Sequence, residues 1–273
     1  YINDVEWWLT YEAWRVIVCS QAMRTEVQTL FGLSDEKVAV IPNGIDRRPP
    51  TPAAGAVRAR YAAPRERLVF FIGRLVPEKG LTVLLEAVPL LLRRHPLRVV
   101  IAGTGPYGDE LKRRAVRLGI ADRVHFAGWL DDQTAQSLLE SADVAVVPSL
   151  YEPFGIVALE AMAAGTPLVA SQVGGLAEIV RHEENGLLAK PGQPLSLAEQ
   201  IDRLLADGAM ANRLVTAARR EVEERYTWAS IARATAAVYD DVITECAQTE
   251  WGSFRWMQPA PPESGDLPGR YTI

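Results

Sequence analysis

The sequence is poor in the residues that hold metal ions or disulfides. Its 273 residues include only two cysteines, Cys19 and Cys246, which lie far apart, and three histidines, His95, His125 and His182, which do not cluster. A histidine-based metal site is therefore not expected, and the cysteine usage is typical of a reduced, cytoplasmic protein. No apolar stretch reaches the roughly 18 residues that cross a bilayer, so no transmembrane segment is predicted, and no signal peptide is recognisable.

Positive charge is also scarce, and nearly all of it is arginine. The net charge is −5 and no basic run is present, so a nucleic-acid partner is not expected. The chain contains 25 arginines but only four lysines, so each lysine that is present suggests a specific role. A hydrophobic fraction of 48% supports a sizeable core, and the length fits one large domain or two unequal ones.

Hydrophobic patterning divides the chain into five segments. Residues 1–46 contain two helix–strand pairs, and residues 47–66 are a proline-rich linker. Residues 67–228 alternate short apolar strands with helices, the pattern of a parallel sheet buried on both faces. Residues 229–247 predict a helix and residues 248–273 an irregular tail. The predicted fold class is α/β, a doubly wound Rossmann-like sheet with its ligand site at the carboxyl ends of the strands.

The first segment has the character of the end of a domain. Two strands do not make a stable sheet alone, and the chain begins at Tyr1 rather than at a methionine. We expect most of a preceding Rossmann-like domain to be missing from this polypeptide or supplied by another one. The tail aromatics Trp251, Phe254 and Trp256 are expected to pack on that domain, with stacking on sugar rings as the alternative.

The sequence GRLVPEKG (73–80) follows the first strand of the main segment. It places Arg74 and Lys79 just beyond the carboxyl end of the strand, where ligands bind in doubly wound sheets. A planar guanidinium and a compact ammonium on either side of a turn could neutralise a diphosphate. The alternative interpretation is a loop before a helix with two solvated charges.

The sequence SLYEPFGIVALE (149–160) follows the fourth strand and enters a helix. Unpaired N–H groups at a helix start favour a phosphate, and Gly155 permits close approach of a ligand there. Glu152 precedes the helix, and Glu160 lies five residues after Gly155, about 7.5 Å along the axis. The spacing suits a nucleotide-sugar, with Glu152 towards the sugar and Glu160 on the ribose hydroxyls.

Three alternatives compete with this interpretation. Glu152 and Glu160 could be the acid and base of a glycosidase, although the helix start between them would then have no role. They could also be ordinary surface charges. Finally, GTGPYG (103–108) matches a dinucleotide fingerprint, but Pro106 removes an amide and no acid ends the next strand.

Residues 128–132 end the third strand and begin a helix. Trp129 either contacts a nucleotide base or packs in the core, and Leu130 follows it. Asp131 and Asp132 are interpreted as helix N-caps rather than as a metal pair.

These motifs, in this order, resemble those of a known enzyme family. GRLVPEKG, GTGP, FAGWL, PSLYEPFGIVALEAMAAGTPLVAS and GGLAEIV are similar to the motifs of the group 1 (family 4) retaining glycosyltransferases of the GT-B fold. The similarity covers roughly residues 5–246 and includes the glycogen synthase-like prokaryotic members. It implies that residues 1–46 close the first GT-B domain, that residues 67–228 bind the donor, and that residues 229–247 cross back to the first domain.

The resemblance implies a role for each site residue. Arg74 and Lys79 would hold the donor diphosphate, Glu160 the ribose, and Glu152 the transferred sugar, with Glu152, Arg74 and Lys79 expected to be catalytic. The full set expected at the donor is Gly73, Arg74, Lys79, Trp129, Leu130, Glu152, Phe154, Gly155, Ile156, Val157 and Glu160. Because two cations and a helix start surround the diphosphate, no metal is expected.

The implied activity is transfer of a hexose, glucose in the first instance, from UDP- or ADP-glucose to an α-glucan such as glycogen. Other acceptors left open are a small sugar, a sugar phosphate or a lipid. Two further alternatives are a non-catalytic nucleotide-binding half that needs a partner chain, and a glycoside phosphorylase of the same fold.

Overall fold

A computed structural model describes residues 2–46 and 49–249, so the tail aromatics named above lie outside the described residues. Residues 2–46 are called the N-terminal unit here. Its elements are α1 (Ile2–Glu12), β1 (Val16–Val18), α2 (Gln21–Phe31), a 3-10 turn (Asp35–Lys37) and β2 (Val38–Val40). β1 and β2 form a parallel two-stranded sheet, with Val16 opposite Val38.

The second sheet has six parallel strands. They are β3 (Arg67–Ile72), β4 (Leu97–Ala102), β5 (Val124–Gly128), β6 (Val144–Val147), β7 (Leu168–Ser171) and β8 (Leu187–Ala189). Their order across the sheet is β5-β4-β3-β6-β7-β8. Counted from β3, this is the 3-2-1-4-5-6 order of a doubly wound nucleotide-binding domain. The predicted α/β, doubly wound fold class is confirmed, and this part of the chain is called the six-stranded domain.

The helices of this part of the chain cover both faces of the sheet, except for the last one, which leads back to the N-terminal unit. They are α3 (Ala54–Ala59), α4 (Leu81–Leu92), α5 (Gly108–Arg117), α6 (Asp132–Ser141), α7 (Ile156–Ala164), the single turn α8 (Leu176–Ile179), α9 (Pro194–Ala206), α10 (Gly208–Arg225) and α11 (Trp228–Ala247). A 3-10 turn, Pro77–Lys79, precedes α4. No helix in the described part of the chain is long and apolar enough to cross a membrane.

Strand β3 shows why the sheet is buried on both sides. Val69 and Phe71 belong to one apolar core, whereas Leu68 and Phe70 belong to the core on the opposite face. Successive side chains of a strand point to opposite faces, so a continuous apolar run requires cover on both. Packing on both faces therefore fixes β3 and the position of its carboxyl end, where the loop that carries Arg74 begins.

The predicted linker, residues 47–66, contains a helix that the sequence analysis did not foresee. The Ala-rich segment Ala54–Ala59 forms α3, and Arg58 binds the carbonyl oxygen of Ser141 and the carboxylate of Asp143. Prolines lie on both sides of this segment and Gly55 lies within it, so its helical propensity is modest, and packing against α6 stabilises the helix.

Two of the contacts between the N-terminal unit and the rest of the chain lie at the two ends of α11. The N–H of Ile45 donates to the carbonyl oxygen of Tyr226 over 2.8 Å. At the other end of α11, the indole N–H of Trp14 donates to Glu245 over 3.0 Å, and Arg15 forms an ion pair with the same carboxylate. Helix α11 therefore runs from the six-stranded domain back to the N-terminal unit.

Candidate functional site

The candidate site lies where the strand order of the six-stranded sheet reverses. Strands β3 and β6 are neighbours, but the chain continues from them in opposite directions across the sheet. In open α/β sheets such a reversal is the usual position of a ligand crevice, and this position is called the crevice here. The loop after β3 carries Arg74 and Lys79, and the loop after β6 carries Glu152.

Lys79 and Glu152 meet directly in this crevice. The Lys79 ammonium lies 2.6 Å from Oε2 of Glu152, and Ser149 Oγ donates to the same oxygen over 3.1 Å. Their side chains are only 21% and 12% exposed. The N–H of Leu150 donates to the carbonyl oxygen of Glu78 over 2.7 Å, which holds the two loops together. The structure thus joins two predicted site residues that are far apart in sequence.

The backbone on either side of Arg74 is fixed by hydrogen bonds, whereas its side chain is not. The N–H groups of Gly73 and Leu75 donate to the carbonyl oxygens of Ala102 and Thr104, over 3.0 and 2.9 Å. The guanidinium is exposed, and within residues 2–46 and 49–249 it forms no hydrogen bond or ion pair. Its charge can therefore bind an anion without breaking an existing contact.

The GTGPYG loop supports the loop that carries Arg74. Gly103 has a φ of +124°, and a Cβ there would lie 1.9 Å from the carbonyl oxygen of Gly73. The N–H of Tyr107 donates to the carbonyl oxygen of Leu75 over 3.0 Å. This close approach of two backbones accounts for the first glycine of the fingerprint without a bound dinucleotide.

Helix α7 begins at the crevice. Gly155 is its N-cap and has no side chain with which to satisfy the first N–H groups, so these present partial positive charge. Phe154 is buried with its ring edge-on to Tyr226, at a centroid distance of 6.3 Å. Only the backbone of Phe154 is therefore suited to a ligand contact, while Ile156 is exposed.

Glu160 lies on the same helix and lines a cavity of about 300 Å³. The cavity is bounded by the end of β3 at Ile72, by Ile156 on α7, by the start of α6 at Asp132, and by Trp228. Its volume is at the small end for a ligand pocket. A carboxylate on the wall of such a pocket can accept hydrogen bonds from paired hydroxyl groups.

The remaining predicted residues fall into two groups. Trp129 is 75% exposed, so its alternative placement in the core is wrong, whereas Leu130 and Val157 pack against the core. Asp131 is the N-cap of α6 and accepts from the N–H of Thr134 over 2.9 Å, as predicted. That hydrogen bond holds the pKa of Asp131 below its ordinary value. No group of three His, Cys, Asp or Glu in the described ranges could hold a metal ion.

The glycine pair 174–175, for which no role was predicted from the sequence, fixes the Glu152 backbone. The N–H of Gly175 donates to the carbonyl oxygen of Glu152 over 3.0 Å. Gly174 has a φ of +45°, and a Cβ there would lie 2.2 Å from that same oxygen. Two adjacent glycines three residues after the end of β7, at the ligand-binding edge of the sheet, are the sequence signal that could have found them.

The chain matches two family models. Residues 57–221 match the model described as glycosyl transferases group 1, and residues 1–48 match the model described as glycosyltransferase family 4. The chain is 41% identical to an uncharacterized glycosyltransferase of Methanocaldococcus jannaschii and 40% identical to a glycogen synthase of Mycobacterium tuberculosis. Each alignment covers 87% of this chain but only 63% and 56% of those relatives.

Solved structures with the same fold include two informative neighbours. Sucrose-phosphate synthase from Thermosynechococcus elongatus superposes with a TM-score of 0.77 at 33% identity, covering 89% of this chain and 62% of that one. Anabaena HepE, solved in complex with UDP and glucose, also gives 0.77, at 29% identity, covering 84% and 64%. The chain therefore spans about six tenths of the length of these proteins.

Proposed function

Because the chain belongs to the group 1 glycosyltransferases, we propose that it is the donor-binding part of a retaining enzyme that transfers glucose from UDP- or ADP-glucose to an α-glucan. The observation that carries the proposal is the contact between Lys79 and Glu152 at the strand-order reversal, beside Arg74 and the start of α7. A nucleotide-sugar fits these groups, because its diphosphate can bind to the cations and the helix N-terminus and its sugar hydroxyls can bind to the carboxylate.

The diphosphate would lie between Arg74, Lys79 and the first N–H groups of α7. In the donor-free protein Glu152 occupies one side of the Lys79 ammonium. A phosphate that replaces it as the partner of Lys79 would release the Glu152 carboxylate, which can then accept a hydroxyl hydrogen bond from the sugar. Glu160, on the wall of the adjacent cavity, would accept the two ribose hydroxyls.

The proposed reaction is transfer with retention of the anomeric configuration. The acceptor hydroxyl would attack the anomeric carbon on the face from which the diphosphate leaves. As the new glycosidic bond forms, the bond from carbon to phosphate oxygen breaks, and that oxygen takes the acceptor proton. Arg74, Lys79 and the helix start stabilise the charge on the departing diphosphate. Since these groups supply the positive charge, we propose that transfer requires no metal.

The choice of glucose and of an α-glucan rests on relatives. The Mycobacterium tuberculosis protein is named a glycogen synthase, and HepE was solved with UDP and glucose. Other relatives, at 34–36% identity, are named D-inositol 3-phosphate glycosyltransferases, so a small phosphorylated polyol, such as an inositol phosphate or a sugar phosphate, is the second acceptor class to test. A cytoplasmic location is proposed on the cysteine usage of the sequence.

A further segment or a separate chain is proposed to complete the N-terminal unit. Trp8, Leu9 and Tyr11 of α1 and Tyr239 and Ile243 of α11 are exposed large apolar side chains. Exposed apolar side chains on these two helices, beside a sheet of only two strands, fit an interface with another part of the enzyme. The acceptor would then bind between that part and the crevice.

Calorimetric titration with UDP, ADP and GDP tests the proposal. Binding of at least one nucleoside diphosphate is expected, and Glu160→Ala should weaken UDP more than it weakens 2′-deoxy-UDP. A folded sample that binds none of the three would overturn the proposal. Dependence of turnover on free phosphate, rather than on a nucleotide-sugar, would instead indicate a phosphorylase.

A further inference from the structure

The loop that carries Glu152 is held from outside the six-stranded domain. Ser20, at the start of α2, donates its hydroxyl to the carbonyl oxygen of Pro153 over 2.6 Å. Six residues later, on the same helix, Glu26 accepts a hydrogen bond from the hydroxyl of Tyr151 over 2.9 Å. The residues immediately before and after Glu152 are therefore both fixed by the N-terminal unit.

A third contact joins the same helix to α8. The carboxylate of Glu178 accepts hydrogen bonds from the N–H groups of Gln21 and Ala22, over 2.9 and 2.8 Å. The next N–H, of Met23, donates to Ser20 Oγ over 3.0 Å. All three N–H groups of the first turn are thus satisfied, two of them by a carboxylate whose charge complements the helix dipole.

These contacts converge on one short stretch of backbone. Gly175, three residues before Glu178, donates its N–H to the carbonyl oxygen of Glu152. The carbonyl oxygen of Pro153 accepts from Ser20. Two consecutive peptide groups next to the Glu152 side chain are therefore fixed, one from α8 and one from α2, and Glu178 connects those two elements.

We propose that this arrangement, here named the α2 clamp (Ser20, Glu26 and Glu178), positions Glu152 for its contact with the transferred sugar. Ser20, Glu26 and Glu178 are positioning residues, because they contact the backbone, Tyr151 and α2 rather than the donor. The proposal rests on the proposed function, which assigns Glu152 to the sugar. It makes the N-terminal unit part of the donor site.

The alternative is that the same contacts merely attach α2 to its neighbour. The two roles differ in which part of the donor they affect. Arg74 and Lys79 lie on the loop after β3, which the clamp does not contact, and the N–H of Ala158 holds the start of α7 through the carbonyl oxygen of Gly155, so loss of the clamp should leave UDP binding nearly unchanged. The extra affinity that glucose adds to UDP should fall, because only the Glu152 loop is released.

The test compares UDP and UDP-glucose binding in Glu178→Ala, Tyr151→Phe and Ser20→Ala. Each variant should keep UDP affinity within about twofold and lower the preference for UDP-glucose over UDP about three- to tenfold, the effect of losing one or two hydrogen bonds. Ser20→Thr, which keeps a donor and acceptor hydroxyl, should restore the preference. Glu178 and Tyr151 are exposed, so these two variants are expected to fold.

Hydrogen exchange of the peptide spanning residues 149–158 provides a readout that needs no ligand. Amide exchange there should be at least about threefold faster in the three variants. The matched control is Gln28→Ala, since Gln28 lies on α2 but donates to Asp35 within the N-terminal unit. Variants that change neither readout, or a control that changes both equally, would overturn the clamp. If the wild-type protein binds no nucleotide, the proposed function fails, yet the exchange experiment still decides whether α2 fixes this loop.

Discussion

The N-terminal unit and the six-stranded domain are built from the same strand–helix–strand pattern, but they bury very different fractions of their apolar surface. In the six-stranded domain, Phe70 and Leu138 are almost inaccessible to solvent. In the N-terminal unit, Ile17 in the middle of β1 is 39% exposed and Trp8 on α1 is 57% exposed. The comparison shows that the pattern predicts the local elements, whereas burial requires neighbours on both faces of the sheet.

The largest expected effect tests this difference directly. Phe70→Ala should lower the free energy of unfolding by about 3–5 kcal/mol, because it leaves a cavity at the centre of the main sheet. Ile17→Ala should cost about 1 kcal/mol or less, since its side chain is already partly hydrated. Urea denaturation followed by circular dichroism measures both. Equal costs would mean that the face of β1 is covered in solution, and the contrast between the two regions would be lost.

The second prediction concerns where the binding groups lie. Lys79→Ala should weaken UDP binding about 10- to 100-fold, the effect of losing a charge-assisted contact to phosphate. Lys112→Ala is the matched control, because Lys112 is an exposed helix lysine that pairs with Asp109. Trp8→Ala in the N-terminal unit should also leave UDP affinity unchanged. If titration calorimetry gave Lys79→Ala and Trp8→Ala similar losses, the diphosphate site could not belong to the six-stranded domain alone.

The third prediction concerns how the segment with α3 is attached to the six-stranded domain. Asp143 accepts from the N–H of Leu68 over 2.7 Å, from Arg58 over 2.8 Å and from Arg67 over 3.0 Å. Burial alone would raise the pKa of Asp143, but these donors outweigh it and hold the pKa below its ordinary value. The carboxylate therefore stabilises the fold above the unfolded-state pKa of about 3.9, and this stabilisation is lost as the pH falls through the lower folded-state pKa.

Asp143→Asn should accordingly cost about 1–2 kcal/mol at pH 7 and less below about pH 4. Denaturation curves of both proteins between pH 3 and pH 7 check this. A difference that stays constant over that range would assign the effect to packing rather than to the charge.

The main sheet could be predicted from the sequence because its strands are short apolar runs, separated by segments with the hydrophobic periodicity of helices. The sequence also placed Lys79 and Glu152 at the same edge of the sheet, since the exit loops of neighbouring parallel strands meet there, but it did not predict the ion pair between them. The position of each residue relative to a strand end was enough for that inference. Where Arg74, Glu160 and Trp129 would contact a donor stays a prediction.

The contacts of α2 could not be predicted in this way. Ser20 and Pro153 belong to parts of the chain with separate sheets, and no hydrophobic periodicity in the sequence indicates that they form a hydrogen bond. The role of Ser20 as the N-cap of α2 is enough to explain a serine before a helix. Its second hydrogen bond, to Pro153, therefore leaves no signal in the sequence. Helix α3 was missed for a different reason, because prolines on both sides made an Ala-rich turn resemble a linker.

The smallest expected effect concerns the same crevice and separates its two charges. Glu152→Gln removes a carboxylate that competes with phosphate for the Lys79 ammonium, so UDP should bind about two- to fivefold more tightly. UDP-glucose should gain less or lose affinity, because the amide is a weaker acceptor for a sugar hydroxyl. Calorimetric titration of both ligands at low and high salt measures the two changes, and the gain for UDP should shrink as salt screens the charges. Weaker binding of UDP by this variant would show that the carboxylate supports Lys79 rather than competing with the phosphate, and the partner exchange on donor binding would have to be abandoned.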